Sequence, residues 1–206
     1  RRLVCDTDLF IFTFGLTEAW VHRESQTVYP TAPGTIAGKF DPAVHEFKNF
    51  NFSEVLKDFL AFRRLLRSEN PSVQFLLTVS PVPLTATASN DHVLAATTYS
   101  KSVLRAVSGH LSQKLNDVDY FPSYELISSH WSRGFFYESN LRSVSTAGVD
   151  AVMSLFFAEH DAVHATPEVM PDGIESNRAN GELREQRRRA RLRNRADSRE
   201  DVMCEE

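Results

Sequence analysis

Two unbroken apolar runs constrain the fold most. They are Leu9 to Phe14 ("LFIFTF") and Val73 to Val79 ("VQFLLTV"). Neither has the polar alternation of a half-exposed strand, so both predict parallel strands covered on two faces. A weaker third run lies in "DVDYFPSYEL", where Pro122 argues against a full-length central strand. Helical sequence separates them. Ser53 to Asn70 carries Val55, Leu56, Phe59, Leu60 and Leu66 at helical spacing, with Ser53 as the expected N-cap and Glu54 in the first turn. Arg63, Arg64 and Arg67 sit toward its end, and Asn70-Pro71 stops it. A second helix is predicted over roughly Ser100 to Leu115. A third starts near Ser145 or Thr146 and aims Val149, Val152, Met153, Phe156 and Phe157 at a core. Strands alternating with helices predict an α/β fold with a parallel sheet.

Residues 22–52 interrupt this rhythm with a long Pro-, Gly- and Phe-containing stretch. Such a stretch is functional or an ordered wrap, here with Phe40, Phe47, Phe50 and Phe52 patching the core. Beyond residue 160 the character changes again, which divides the chain into a domain over 1–160 and a tail over 161–206. Nine arginines between Arg178 and Arg199 stand among eleven acids from residue 161 onward. With few large apolar residues the tail is expected to be disordered or a solvated helix. Its arginines keep nucleic acid open as a partner, but the acids of the segment outnumber them, and the net charge of −4 gives no general argument for nucleic acid.

Composition excludes other classes. Hydrophobic residues at 42% and charged residues at 24% suit a soluble globular protein. The apolar runs are too short to span a bilayer, so no membrane insertion is expected. Cys5 and Cys204 fit neither a zinc spacing nor a disulfide framework, which favours a reducing, cytoplasmic setting. There is no Gly-rich phosphate loop and no metal-ligand cluster, so no cofactor or metal is expected.

In open α/β sheets ligands bind beyond the carboxyl ends of the strands. Three polar clusters fall there. The first is Gly15, Thr17 and Glu18, where the glycine permits close approach, Thr17 donates, and Glu18 accepts or acts as a base. The second is Ser80, after the second run. The third is Asn140, Arg142, Ser143 and Ser145 before the last helix, where unpaired N–H groups favour an anion. Ser100 and Lys101 add a hydroxyl and a cation at an expected helix start, and His92 is the best-placed histidine. Each residue alone is better explained as a tight turn, a cap or a solvated surface group. Together they predict a pocket.

The segments "FTFGLTEAW", "NPSVQFLLTVSPVPLTAT", "TYSKSVLRAV", "VDYFPSYELI" and "NLRSVSTAGVDAVM", in that order, resemble the GSCFA domain family. That family is named for a Gly-Ser-Cys-Phe-Ala motif and is similar to the SGNH (GDSL-like) hydrolase group. The resemblance runs from about Asp6 to Phe157. It implies a flavodoxin-like, SGNH-type three-layer sandwich. It also implies ester hydrolysis or acyl transfer at a serine, on a small-molecule, saccharide or surface-polymer ester. The chain departs from the pattern in three places. The Gly-Ser-Cys-Phe-Ala nucleophile motif is absent, so the catalytic residues are unknown. The Gly-x-Asn-Asp loop becomes Gly15, Thr17 and Glu18, with Thr17 in place of the donor Asn. The Asp-x-x-His of the group aligns with Asn140 and Ser143, neither of which is a base near neutral pH.

The resemblance therefore implies a sheet without its first strands and an exposed apolar edge at Leu9 to Phe14. Such an edge predicts self-association, which a compact monomer in size-exclusion chromatography would exclude. Two functions remain open. One is the C-terminal part of an esterase or acyltransferase that is not competent alone. The other is a catalytically inactive ligand-binding domain or truncated remnant.

Overall fold

The computed structural model describes residues 2–36 and 38–161. In chain order the elements are α1 (Arg2–Cys5), β1 (Leu9–Phe14), β2 (Glu18–His22), β3 (Val28–Tyr29), β4 (His45–Asn49), α2 (Phe52–Glu69), β5 (Gln74–Val79), α3 (Val93–Lys114), β6 (Val118–Tyr120), α4 (Ser123–Ser128) and α5 (Thr146–Asp161), with a short 3-10 turn at His130–Ser132 between the last two.

Strands β1, β5 and β6 form a parallel sheet in the order β1-β5-β6. The register sets Phe10 beside Phe75, Phe12 beside Leu77 and Phe14 beside Val79. These six side chains therefore share one face, and Val118 and Tyr120 extend it. Helices α2 and α3 cover that face with Phe59, Phe62, Leu104, Val107 and Leu111. Phe59 is the hub, with its ring 5.6 to 6.1 Å from those of Phe12, Phe14, Phe62 and Phe75. The result is a parallel sheet flanked by helices, as in a flavodoxin-like sandwich.

The opposite face is covered unevenly. Leu76 and Thr78 of β5 are buried there, and Thr78 is hydrogen-bonded to Ser123 of α4. On β1, Leu9 and Ile11 are 39% and 52% exposed. The expectation of two covered faces therefore holds for β5 and fails for β1, which is an edge strand among the described residues. The α5 expectation also changes. The helix starts at Thr146 as predicted, but Val149, Met153 and Phe157 are exposed rather than in the core. Phe156 does pack, edge-on against Phe121.

Two helix starts are corrected. Helix α2 is capped by Asn51, not Ser53: Asn51 Oδ1 accepts from Glu54 N–H, and Glu54 Oε2 accepts from Asn51 N–H. This reciprocal box satisfies two donors that would otherwise be unpaired. Helix α3 begins at Val93, seven residues before the expected Ser100, with His92 Nδ1 accepting from Leu94 N–H. Ser100 and Lys101 thus lie inside the helix and are almost fully buried.

The interrupting stretch is a second, antiparallel sheet in the order β3-β2-β4. Trp20 pairs with Phe47 on one side and Tyr29 on the other. Phe40 and Phe47 pack edge-on against Trp20, and only Phe52 of the expected patch joins the main core. Strand β6 is three residues long and stops ahead of Pro122, in line with the sequence. The tail from residue 162 lies outside the described residues, so the expectations placed on it are not addressed by the fold.

Candidate functional site

A cavity of about 610 Å³ opens beyond the carboxyl ends of β1 and β5. One wall is Gly15 and Leu16, the loop that follows β1. The next is Glu18 and Trp20 of β2, which share a strand face two residues apart, with Phe47 beside them. The third is the segment from Ser80 to Ala88 that follows β5. Arg142 closes the rim.

The Gly15 loop is fixed from behind by α3. Lys101 Nζ donates to the Gly15 carbonyl at 2.8 Å. Ser100 Oγ accepts from Thr17 N–H at 2.8 Å. Thr17 Oγ1 donates to Asn49 Oδ1, and Phe50 N–H donates to the Thr17 carbonyl. Thr17 is 1% exposed, with both of its donors engaged, so it does not present a donor to the cavity. Ser100 and Lys101 likewise support the loop instead of lining the site. A Cβ at Gly15 would meet no protein atom within 4 Å, so this glycine leaves room for a ligand.

The remaining predicted residues separate cleanly. Glu18, Ser80 and Arg142 line the cavity together with Gly15. Glu18 Oε1 accepts from Thr87 Oγ1 at 2.7 Å, which holds the carboxylate against the third wall. Ser80 Oγ accepts from Val82 N–H, leaving its own proton to donate. Asn140 and Ser143 stand outside the lining and shape the turn that presents Arg142. Asn140 Oδ1 accepts from the N–H groups of Arg142 and Ser143, and its amide donates to Ser143 Oγ. His92 is a helix cap, and among the described residues no histidine lines the cavity. Trp20, Phe47 and Thr87 were not among the predicted site residues. The alternation of Glu18 and Trp20 in "TEAWVH" is the signal that could have found the first of them.

The GSCFA family model matches residues 1–156. The chain belongs to the GSCFA family. No curated protein and no solved structure matches this GSCFA chain. Among its described residues, no group of three His, Cys, Asp or Glu is placed to hold a metal ion. No described helix is long and apolar enough to cross a membrane.

Lys101 makes the site's support sensitive to pH. Burial pulls its pKa down from 10.5 to about 8. Between those values the unfolded chain binds the proton and the folded GSCFA chain does not. Stability therefore rises as pH rises through about 8, by on the order of 2 kcal/mol by pH 10. Above pH 10 the sign reverses. Burial, joined by the Glu125 carboxylate at Tyr120 and mainly by Tyr137 at Tyr124, raises both phenols, so only the unfolded chain ionises there. Urea melts from pH 7 to 11 are expected to show a maximum near pH 9 to 10, which Lys101→Met removes from its low-pH side. An unchanged rise in that variant would assign the effect to another group.

Proposed function

We propose that this chain supplies the substrate-holding part of an SGNH-like esterase or acyltransferase site. The substrate class is an ester of a small molecule or saccharide. The observation that carries this reading is the cavity at the carboxyl edge of the parallel sheet, with the Gly15 loop, Ser80 and Arg142 around it. The position is where an α/β sheet offers a ligand both backbone donors and loop side chains. The free, exposed thiol of Cys5 fits a reducing, cytoplasmic setting.

A second reading has its own support. Among the described residues, Ser80 is the one serine of the cavity lining, and no histidine lines the cavity to serve it as base. A serine without such a base is a weak nucleophile at neutral pH. This favours a domain that binds an acylated or saccharide ligand without transforming it.

Serine-directed fluorophosphonate labelling and p-nitrophenyl butyrate turnover test both. The 206-residue chain is expected to bind ester ligands but to resist labelling at Ser80. Any longer protein that contains this chain is expected to label and turn over, with loss of turnover in Trp20→Ala. Neither labelling nor turnover in that longer form would leave only the binding reading. Labelling of Ser80 in the 206-residue chain would overturn the division of roles.

A further inference from the structure

We propose that the ligand of this cavity carries a carboxylate on an apolar body, with the carboxylate seated on Leu16 N–H, Ser80 Oγ–H and the Arg142 guanidinium. This rests on the ligand-holding role above and specifies its chemistry. The first support is the direction of one peptide group. The Gly15 carbonyl points inward to Lys101 Nζ. The peptide bonds described are all trans, so the Leu16 N–H on the same plane points the opposite way, out of the protein core. Gly15 and Leu16 line the cavity, which places this N–H at its wall. Thr17 N–H is engaged by Ser100, and Leu16 N–H has no protein acceptor among the described residues.

The second support is the charge around the cavity. Arg142 lines it and makes no ion pair among the described residues, while the Asn140 turn holds its backbone. Lys101 adds a second cation behind the Gly15 carbonyl. The opposing carboxylate, Glu18, already accepts from Thr87. Two cations, Arg142 and Lys101, therefore stand against one carboxylate among the described residues at the cavity. Guanidinium with a carboxylate is the strong, directional pairing for such a site. The third support is the rest of the lining. Trp20, Phe47, Val82, Pro83 and Leu84 are apolar and match a hydrocarbon or ring surface, which a bare inorganic anion does not have. Lys101 is a positioning residue here, since it acts through the Gly15 peptide and not on the ligand.

The test uses the full 206-residue chain at pH 7, with hexanoate, 1-hexanol and inorganic phosphate as probes. Binding is read from the Leu16 amide and the Trp20 indole in two-dimensional NMR titrations. Hexanoate is expected to shift both signals and to bind about tenfold or more tightly than hexanol. Arg142→Met is expected to remove that advantage and leave hexanol unchanged, with Arg142→Lys falling between. Arg142 is an exposed rim residue, so these variants keep the fold. Equal affinity for hexanoate and hexanol, or hexanoate binding untouched in Arg142→Met, would overturn the carboxylate site. Phosphate binding as tightly as hexanoate would overturn the apolar body. An acetylated neutral saccharide that shifts these signals where hexanoate does not would sink this inference and leave the ligand-holding role standing. Hexanoate binding with no ester turnover in any longer form would do the reverse to the enzyme reading.

Discussion

Asp117→Asn is expected to lower the stability of the fold by about 3 kcal/mol or more, the loss typical of a buried charge pair cut on one side. Asp117 sits at the entry to β6 and is 7% exposed. Its carboxylate takes two hydrogen bonds from Arg63, at 2.9 and 2.6 Å, and a third from Arg67 at 2.6 Å. Both arginines come from the last turns of α2, so the cluster ties that helix to the sheet. Burial pushes the carboxyl up, but the hydrogen bonds from Arg63 and Arg67 outweigh it and hold the group below its usual value. The stabilisation is thus complete above the unfolded value and is lost as pH falls through the folded one. Asparagine keeps the shape and removes the charge. Two guanidinium groups then face each other with one weak acceptor between them. The backbone link from Phe75 N–H to the Asp117 carbonyl is untouched by the change. A urea midpoint measured at pH 7 gives the loss directly. A loss under about 1 kcal/mol would mean the pair behaves as a screened surface bridge. Arg67→Met, which leaves the Arg63 fork in place, is expected to cost less.

The features that were legible in the sequence share a cause. Runs β1 and β5 show because each is long, apolar and bounded by turn residues. Pro122 marks the end of β6 because proline cannot donate into a ladder. The second sheet was not legible because its strands are two to five residues long and β4, His45-Glu46-Phe47-Lys48-Asn49, has a single apolar residue and so no apolar alternation to mark it. The start of α3 was hidden because His92 is not a common cap and Thr97 and Thr98 are weak helix formers. That single misplaced boundary changed the meaning of two residues. At a helix start, Ser100 and Lys101 would face a ligand. Inside the helix, they brace the Gly15 loop from the core side. Glu18, Ser80, Arg142 and Gly15 were legible because each follows or faces a strand end, where an α/β sheet places its site. Periodicity alone could not separate α5 from a core helix, since Val149, Met153 and Phe157 repeat correctly and yet stay exposed.

Phe59→Ala is expected to be at least as damaging to stability, at about 3–5 kcal/mol, and to damage the site as well. Phe59 is 3% exposed and meets four other phenylalanines. Two of them, Phe12 and Phe14, belong to β1, whose outer side has no strand beside it among the described residues. Hydrogen bonds to β5 and the packing of these rings are therefore what hold β1 in register. Phe14 immediately precedes Gly15, and its carbonyl accepts from Ser80 N–H. Slack at Phe14 reaches both walls of the cavity at once. Edge-to-face ring pairs add to simple area burial, so Phe59→Leu recovers the apolar volume but not the ring contacts. Denaturant melts are expected to place Phe59→Leu between wild type and Phe59→Ala. Amide exchange is expected to show the additional loss concentrated in β1 and the Gly15 loop, ahead of β5. Uniform loss across β1 and β5 would show that the edge strand is held by the whole core instead. In that case the Gly15 loop would inherit its order from α3, through Ser100 and Lys101, and the phenylalanine cluster would carry stability without shaping the site.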